Sequence, residues 1–160
     1  DGSWAPKKPP KPWSLYRLEE LAQRPGDPVL LAEGEKAADA AQELLGGIGT
    51  TVLNGCSGVA DADLSPLHGR DVIILPDADD PGRGYAVDLI SALQGKASSL
   101  RIVDVWALGW KVGEDVADQD QLPEGFLELA VPVEEWLDPK DQEKVETSQA
   151  KDTIQARPMV

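Results

Sequence analysis

Apolar and polar positions along this chain fall into short blocks whose period changes between two values. "VLLAEGE" carries an unbroken apolar run at residues 29–32, the length and composition of a strand buried on both faces. "EKAADAAQELLGG" follows at once, and its Ala37, Ala40, Ala41, Leu44 and Leu45 form a helical stripe that Gly46 and Gly47 bring to an end. "TTVLN", residues 50–54, is β-branched and predicts a second strand. "DVIILP", residues 71–76, predicts a third, and "SLRIVDVWAL" a fourth. Between the last two, "PGRGYAVDLISALQG" predicts a helix over residues 81–94, with Pro81 in its first turn and Gly95 past its end. Upstream, "SLYRLEELAQRPGDP" spaces Leu15, Leu18 and Leu21 as a helix does and stops at Pro25–Gly26. "GCSGVADADLSPLHG" reads as a loop with one short helical turn, and so does "GEDVADQDQLP". "ELAVPVEEWL" reads as an edge strand and a helical turn.

Strand, helix, strand, loop, strand, helix, strand is the order of an α/β fold. It predicts a Rossmann-like open sheet of about four mainly parallel strands with helices on both faces. Residues 14–137 form the expected domain, with its core over residues 28–120. Residues 1–13, rich in Pro and Lys, read as a linker. Residues 138–160 are charged, poor in apolar positions and without period, and read as a disordered tail. In open α/β sheets ligands sit beyond the carboxyl ends of the strands. Acidic residues occupy those positions here: Glu33 after the first strand, Asp77 and Asp79 after the third, Asp115 a few residues after the fourth.

Charge narrows the class of partner. The 160 residues carry a net charge of −14, and acidic residues outnumber basic ones most heavily beyond residue 110. A broad basic face for nucleic acid is therefore not expected, although a bound divalent cation can reverse the sign locally and bring in one phosphate. Nothing approaches the roughly 20 apolar residues of a membrane span, so no membrane partner is expected. The first thirteen residues have no apolar leader segment, and the chain starts with Asp1, as a piece of a longer protein would. The single Cys56 excludes an internal disulfide and a Cys-based zinc site, which suits a reducing, cytoplasmic setting.

The acidic residues define the candidate chemistry. In an extended Asp77-Ala78-Asp79 the two carboxylates point the same way. Glu33 leaves a parallel strand at the same edge, about 5–10 Å away if the strands are neighbours or one apart. Such a set of oxygens, with His68 the only histidine, suits Mg2+ or Mn2+ rather than zinc. It points to phosphoryl or phosphodiester chemistry, with Glu33 as general base or acid. The competing structural reading is that these acids cap helices and complement helix dipoles, and Asp80, just before Pro81, fits an N-cap best. Lys36, Arg83 and Lys111 lie near the acidic edge in sequence, and each suits either a phosphate contact or a surface ion pair. "NGCSGVA" has Gly55 and Gly58 in a turn that either faces a phosphate with its N–H groups or serves only to turn the chain. Tyr16 and Tyr85 are the only tyrosines available as nucleophiles, and Tyr85 falls on a helix face.

"LLAEGEKAADAA" followed by "VIILPDADDPGRGYA" resembles the Toprim domain of bacterial-type primases, type IA and type II topoisomerases and some nucleases. The signature is a glutamate after the first strand, here Glu33, and an Asp-x-Asp after a later one, here Asp77 and Asp79. The primase branch, including phage and plasmid primase-helicases, is most similar. There the pair is followed by Ala-Gly-Arg, and here by Asp80, Pro81, Gly82 and Arg83. "KVGEDVAD" is similar to the acidic motif after the next strand, and the resemblance places Asp115 beside the metals. The likeness spans residues 28–120. It implies nucleotidyl transfer for primer synthesis in phage or mobile-element DNA replication, Glu33 as general acid/base or first ligand, and Asp77 and Asp79 as Mg2+ or Mn2+ ligands. It also implies single-stranded DNA and nucleoside triphosphates as partners, with DNA gripped largely by a helicase or other domains of the same polypeptide. A nuclease of the same fold, or a module that binds metal or a partner without chemistry, has the same pattern. These 160 residues contain neither a Cys/His zinc module nor a GxxxxGK[ST] loop.

Overall fold

The computed structural model describes residues 7–158. Its elements run α1 (Leu18–Gln23), β1 (Val29–Ala32), α2 (Glu35–Leu45), β2 (Ile48–Thr50), β3 (Asp71–Leu75), α3 (Asp80–Leu93), β4 (Ser99–Ile102), β5 (Val131–Pro132), α4 (Val133–Trp136) and α5 (Pro139–Gln155). Short 3-10 turns fill the loops after β2 and β4. The strands make one mixed sheet in the order β2-β1-β3-β4-β5. The first four strands are parallel, and the two-residue β5 runs antiparallel to β4 at one edge. The predicted α/β architecture is thus present, and the edge strand and helical turn expected within "ELAVPVEEWL" are β5 and α4, with β5 antiparallel. Among the described residues no helix is long and apolar enough to cross a membrane.

Side chains alternate across the strands, so each apolar run feeds two cores. Val29, Leu31, Val72 and Ile74 face α3, whose Tyr85, Leu89, Ile90 and Leu93 are fully buried. Each of these large side chains contributes roughly 1.5–3 kcal/mol relative to exposure. Leu30, Ala32, Ile73 and Leu75 face the other way, onto Ala37, Ala38 and Ala41 of α2. α2 presents alanines because it lies almost on the sheet. A Cβ on Gly49 of β2 would come within 1.8 Å of the Ala38 carbonyl oxygen. Only glycine on the strand and small residues on the helix allow that approach.

Three expectations are corrected. The second strand lies at Ile48–Thr50 and not at residues 50–54. Val29 pairs with Ile48 as soon as α2 has ended at Gly46, so the ladder runs out at Thr50, and Thr51 and Val52 are buried outside it. The arm is docked at its end: Trp13 is 5% exposed, its backbone N–H donates to the Asp61 carbonyl at 2.8 Å and its carbonyl accepts from Asp63 N–H at 2.8 Å. Residues 1–6 of the predicted linker lie outside the described residues.

The third correction is the tail, which forms α5 and packs on α3. Asp138 caps α5 by accepting from Asp141 N–H at 2.9 Å, and Pro139 occupies its first turn. Val145 is its one buried residue, too little to show as a period. Arg83 of α3 ties the helix down, with Nη2 donating to Asp141 at 2.5 Å and to Asp138 at 3.1 Å. Its guanidinium also lies 4.6 Å from the Trp136 ring and 6.0 Å from that of Trp106. Arg83→Ala is therefore expected to cost about 1–3 kcal/mol and to make α5 the first segment cut in limited proteolysis. Equal resistance of residues 139–155 in both proteins would remove Arg83 from this role.

Candidate functional site

β1 and β3 are neighbours, with Ala32 opposite Leu75, so the chain leaves both strands at one level. The connections then part: β1 leads through α2 to β2 on one side, and β3 leads through α3 to β4 on the other. This is the switch point at which open α/β sheets form a crevice. Glu33 and Asp77 stand on its two lips.

The local chain geometry explains why they stay there. Gly34, at φ +93°, turns the backbone from β1 into α2, and its N–H donates to Thr51 Oγ1 at 2.9 Å. Ala78 N–H donates to the Glu114 carbonyl at 2.9 Å, and Gly113 N–H donates to the Ala78 carbonyl at 3.2 Å. The loop after β4 is thus stitched to the centre of Asp77-Ala78-Asp79, which brings Asp115 to the same edge. Gly82 seats the first turn of α3 on Asp77: a Cβ there would lie 2.2 Å from the Asp77 carbonyl oxygen. Gly82→Ala is expected to cost about 1–3 kcal/mol and to displace Asp77. Thermal melts with and without Mn2+ should then show a reduced cation response at unchanged helix content. An unaltered response would free Asp77 from this constraint.

Two carboxylate oxygens at the edge, Asp77 Oδ1 and Glu33 Oε2, are buried without a hydrogen-bond partner. Burial, then the charges of Glu33, Asp115, Asp79 and Asp118, push the Asp77 carboxyl up to about 7. Burial also raises Glu33, and Asp79 adds to it, while the Cys56 thiol and backbone N–H oppose the shift. The edge is therefore a region where negative charge is poorly compensated.

The other acids have structural duties as well. Asp79, not Asp80, is the N-cap of α3, with Oδ1 accepting from Gly82 N–H at 2.7 Å. Asp80 is the exposed first residue of that helix. Asp115 caps the turn Val116–Asp118, accepting from Ala117 N–H at 2.6 Å, and Asp118 accepts in return from Asp115 N–H at 3.1 Å. The capping and ligand readings are thus not exclusive, since a cap uses one oxygen of two.

Among the basic candidates, Lys36 is largely exposed and lies 3.7 Å from Asp118, at the rim. Lys111 is exposed beside Glu114, on the loop stitched to Ala78. Arg83 is engaged by α5 and by the two tryptophans, so its guanidinium is not offered to the acidic edge. The two glycines do not form a phosphate nest. Gly55 N–H donates to the Val52 carbonyl at 3.2 Å and Gly58 N–H to the Gly55 carbonyl at 2.9 Å. Their small size is what matters: a Cβ on Gly58 would meet the Leu53 carbonyl oxygen at 1.7 Å, and one on Gly55 would meet Glu33 Cγ at 3.2 Å. Neither tyrosine hydroxyl is free. Tyr85 is fully buried and donates to the Ala32 carbonyl at 2.7 Å, and Tyr16 donates to Asp39 at 3.0 Å.

No family model, curated protein or solved structure matches the chain. Among the described residues no three His, Cys, Asp or Glu side chains are gathered into a ready cation cage. Two free buried oxygens with further carboxylates at the rim fit Mg2+ or Mn2+ better than a cage-seeking ion. Mg2+ retains several waters and takes one or two carboxylates plus substrate phosphate. Sequence reasoning had missed Gly82, whose Pro-Gly context reads as a turn, and the Cys56 N–H beside Glu33, which no residue pattern signals.

Proposed function

We propose that this chain is a Toprim-like, Mg2+- or Mn2+-dependent catalytic module for nucleotidyl transfer, of the kind DNA primases and primase-helicases use to make primers. The observation that carries the reading is the pair of partnerless buried oxygens, Asp77 Oδ1 and Glu33 Oε2, just past the ends of adjacent parallel strands at the switch point. Asp77 and Glu33 would hold the cation, with the free oxygens of Asp79 and Asp115 nearby. When bound, the cation supplies charge neutralisation and polarisation at a phosphoryl group.

The chain's own residues do the remaining work. Gly82 and the Ala78–Glu114 hydrogen bond fix the Asp77 backbone, so its carboxylate keeps one position. Burial holds the Glu33 carboxyl above its ordinary value, the direction that suits a group that accepts and returns a proton. Lys36 and Lys111 stand at the rim, where a strand's phosphates would pass, and single-stranded DNA and nucleoside triphosphates are the substrates of this reading.

The test is to incubate the protein with single-stranded DNA, ribonucleotides and Mn2+. New short oligonucleotides are the expected product. Shortened DNA without synthesis would replace the reading with a nuclease of the same site, and no reaction with retained Mn2+ binding would replace it with a non-catalytic module.

A further inference from the structure

A cleft of about 410 Å³ opens beside Glu33, between the segment before α1 and the loop after β2. It shares a wall with the acidic edge. Gly34, which lines it, follows Glu33 directly, and Gly55, which also lines it, has its open side against the Glu33 side chain. The cleft therefore adjoins Glu33 through Gly34 and Gly55. A larger cleft of about 570 Å³, around His68 and Lys96, is lined by none of the acidic-edge residues.

The lining says what the cleft can hold. It contains no cation, and its one charged residue is Glu35, so a phosphate is repelled. Its walls offer apolar surface from Tyr16 and from Leu53, which is 36% exposed. Tyr16 is held in place by its bond to Asp39 and by the Arg17 guanidinium, 5.0 Å from the ring centroid. Asn54 adds the polar function. It sits in the left-handed region at φ +67° and opens the turn Gly55–Ser57 without capping it with its side chain. Its amide thus remains free to offer a donor and an acceptor together, as one edge of a base requires. The volume is within the range of small-ligand sites.

We propose that this cleft holds the base of a nucleotide whose phosphates lie at the Glu33–Asp77 edge. Leu53 and Tyr16 supply apolar contact, and Asn54 hydrogen-bonds the base edge. The inference rests on the phosphoryl-transfer reading for the position of the phosphates, but the base site is testable without them.

The experiment is a heteronuclear NMR titration with adenosine, which carries no phosphate, and separately with tripolyphosphate plus Mg2+. Adenosine is expected to shift the amide signals of Gly34, Leu53, Asn54 and Gly55, and to do so equally in Asp77→Asn. Leu53→Asp should weaken adenosine binding by about tenfold. Leu53 is exposed, so the fold tolerates this change. Asn54→Gly keeps the left-handed backbone and removes only the amide, and should weaken it several-fold. The proposal is overturned if adenosine shifts none of these signals up to its solubility limit, or shifts them equally in the parent and both variants. If tripolyphosphate perturbs the surroundings of Asp77 while adenosine binds nowhere, the base site falls and the phosphate reading stands. If adenosine binds as described while tripolyphosphate does not, the base site stands and the phosphate reading falls.

Discussion

Asp77→Asn will make the cation-free protein more stable at pH 8 and will flatten its stability between pH 4 and pH 8. The Asp77 carboxyl titrates near 3.8 when unfolded and at about 7 in the fold. The folded state therefore binds this proton more tightly, and stability falls as pH rises through that window. Below the unfolded value both states are protonated and there is no penalty. Above about 7 both are ionised, and the fold bears the full cost of a carboxylate among Glu33, Asp115, Asp79 and Asp118. Three units would convert to about 4 kcal/mol. Solvent reaches the edge, so screening reduces this to about 2 kcal/mol, or roughly 4–8 °C in melting temperature for a domain of this size. An asparagine cannot ionise and avoids the cost. On the proposed function the same substitution also removes a cation ligand, so Mn2+ at pH 8 should raise the melting temperature of the parent protein and leave the variant nearly unmoved. Melts at pH 5, 6.5 and 8, with and without Mn2+, give both slopes. A variant that melted below the parent at pH 8 and kept the full Mn2+ response would show that Asp77 is neither strained nor a ligand.

For the proposed nucleotidyl transfer, Glu33→Gln is expected to lower the rate by about 10²–10⁴-fold, the span usual for losing a positioned proton-transfer group. Its effect on stability should be small and, as for Asp77→Asn, stabilising at high pH. Burial raises the Glu33 carboxyl in the fold, so its ionised form is also disfavoured, and a neutral amide of the same shape relieves that. Gly55 leaves room for the side chain, and the Cys56 N–H keeps an acceptor in the amide oxygen. Single-turnover primer synthesis, followed across pH, separates the two effects. A loss of less than tenfold, or a loss matched by a fall in melting temperature, would take proton transfer away from Glu33.

Much of the frame was readable in advance because burial on both faces writes itself into sequence as unbroken apolar runs. Residues 29–32 and 71–75 show this most clearly, and the alanine stripe of α2 marks a helix close to the sheet. The acids at the strand ends were readable for the same reason: once the strands are placed, the carboxyl edge is fixed. What each acid does there was not readable. Asp79 and Asp80 are adjacent and chemically alike, and only the angle at which α3 leaves β3 decides which oxygen reaches Gly82 N–H. Between a phosphate contact and an ion pair, the sequence could not choose for Arg83, because its partners, Asp138, Asp141 and Trp136, lie more than fifty residues away.

The sequence by itself determined the alternation of strands and helices through β4, which requires a mostly parallel sheet, and the placing of Glu33, Asp77 and Asp79 just past strand ends. Those follow from local periodicity and from the rule that successive residues in a strand face opposite ways. The tertiary structure alone decided that β1 and β3 are neighbours, that Gly82 and Gly55 exist to admit Asp77 and Glu33, and that the charged tail is a helix held by Arg83. Each of these is a contact between residues distant in the chain. Its energy comes from desolvation and close approach, which no local pattern records.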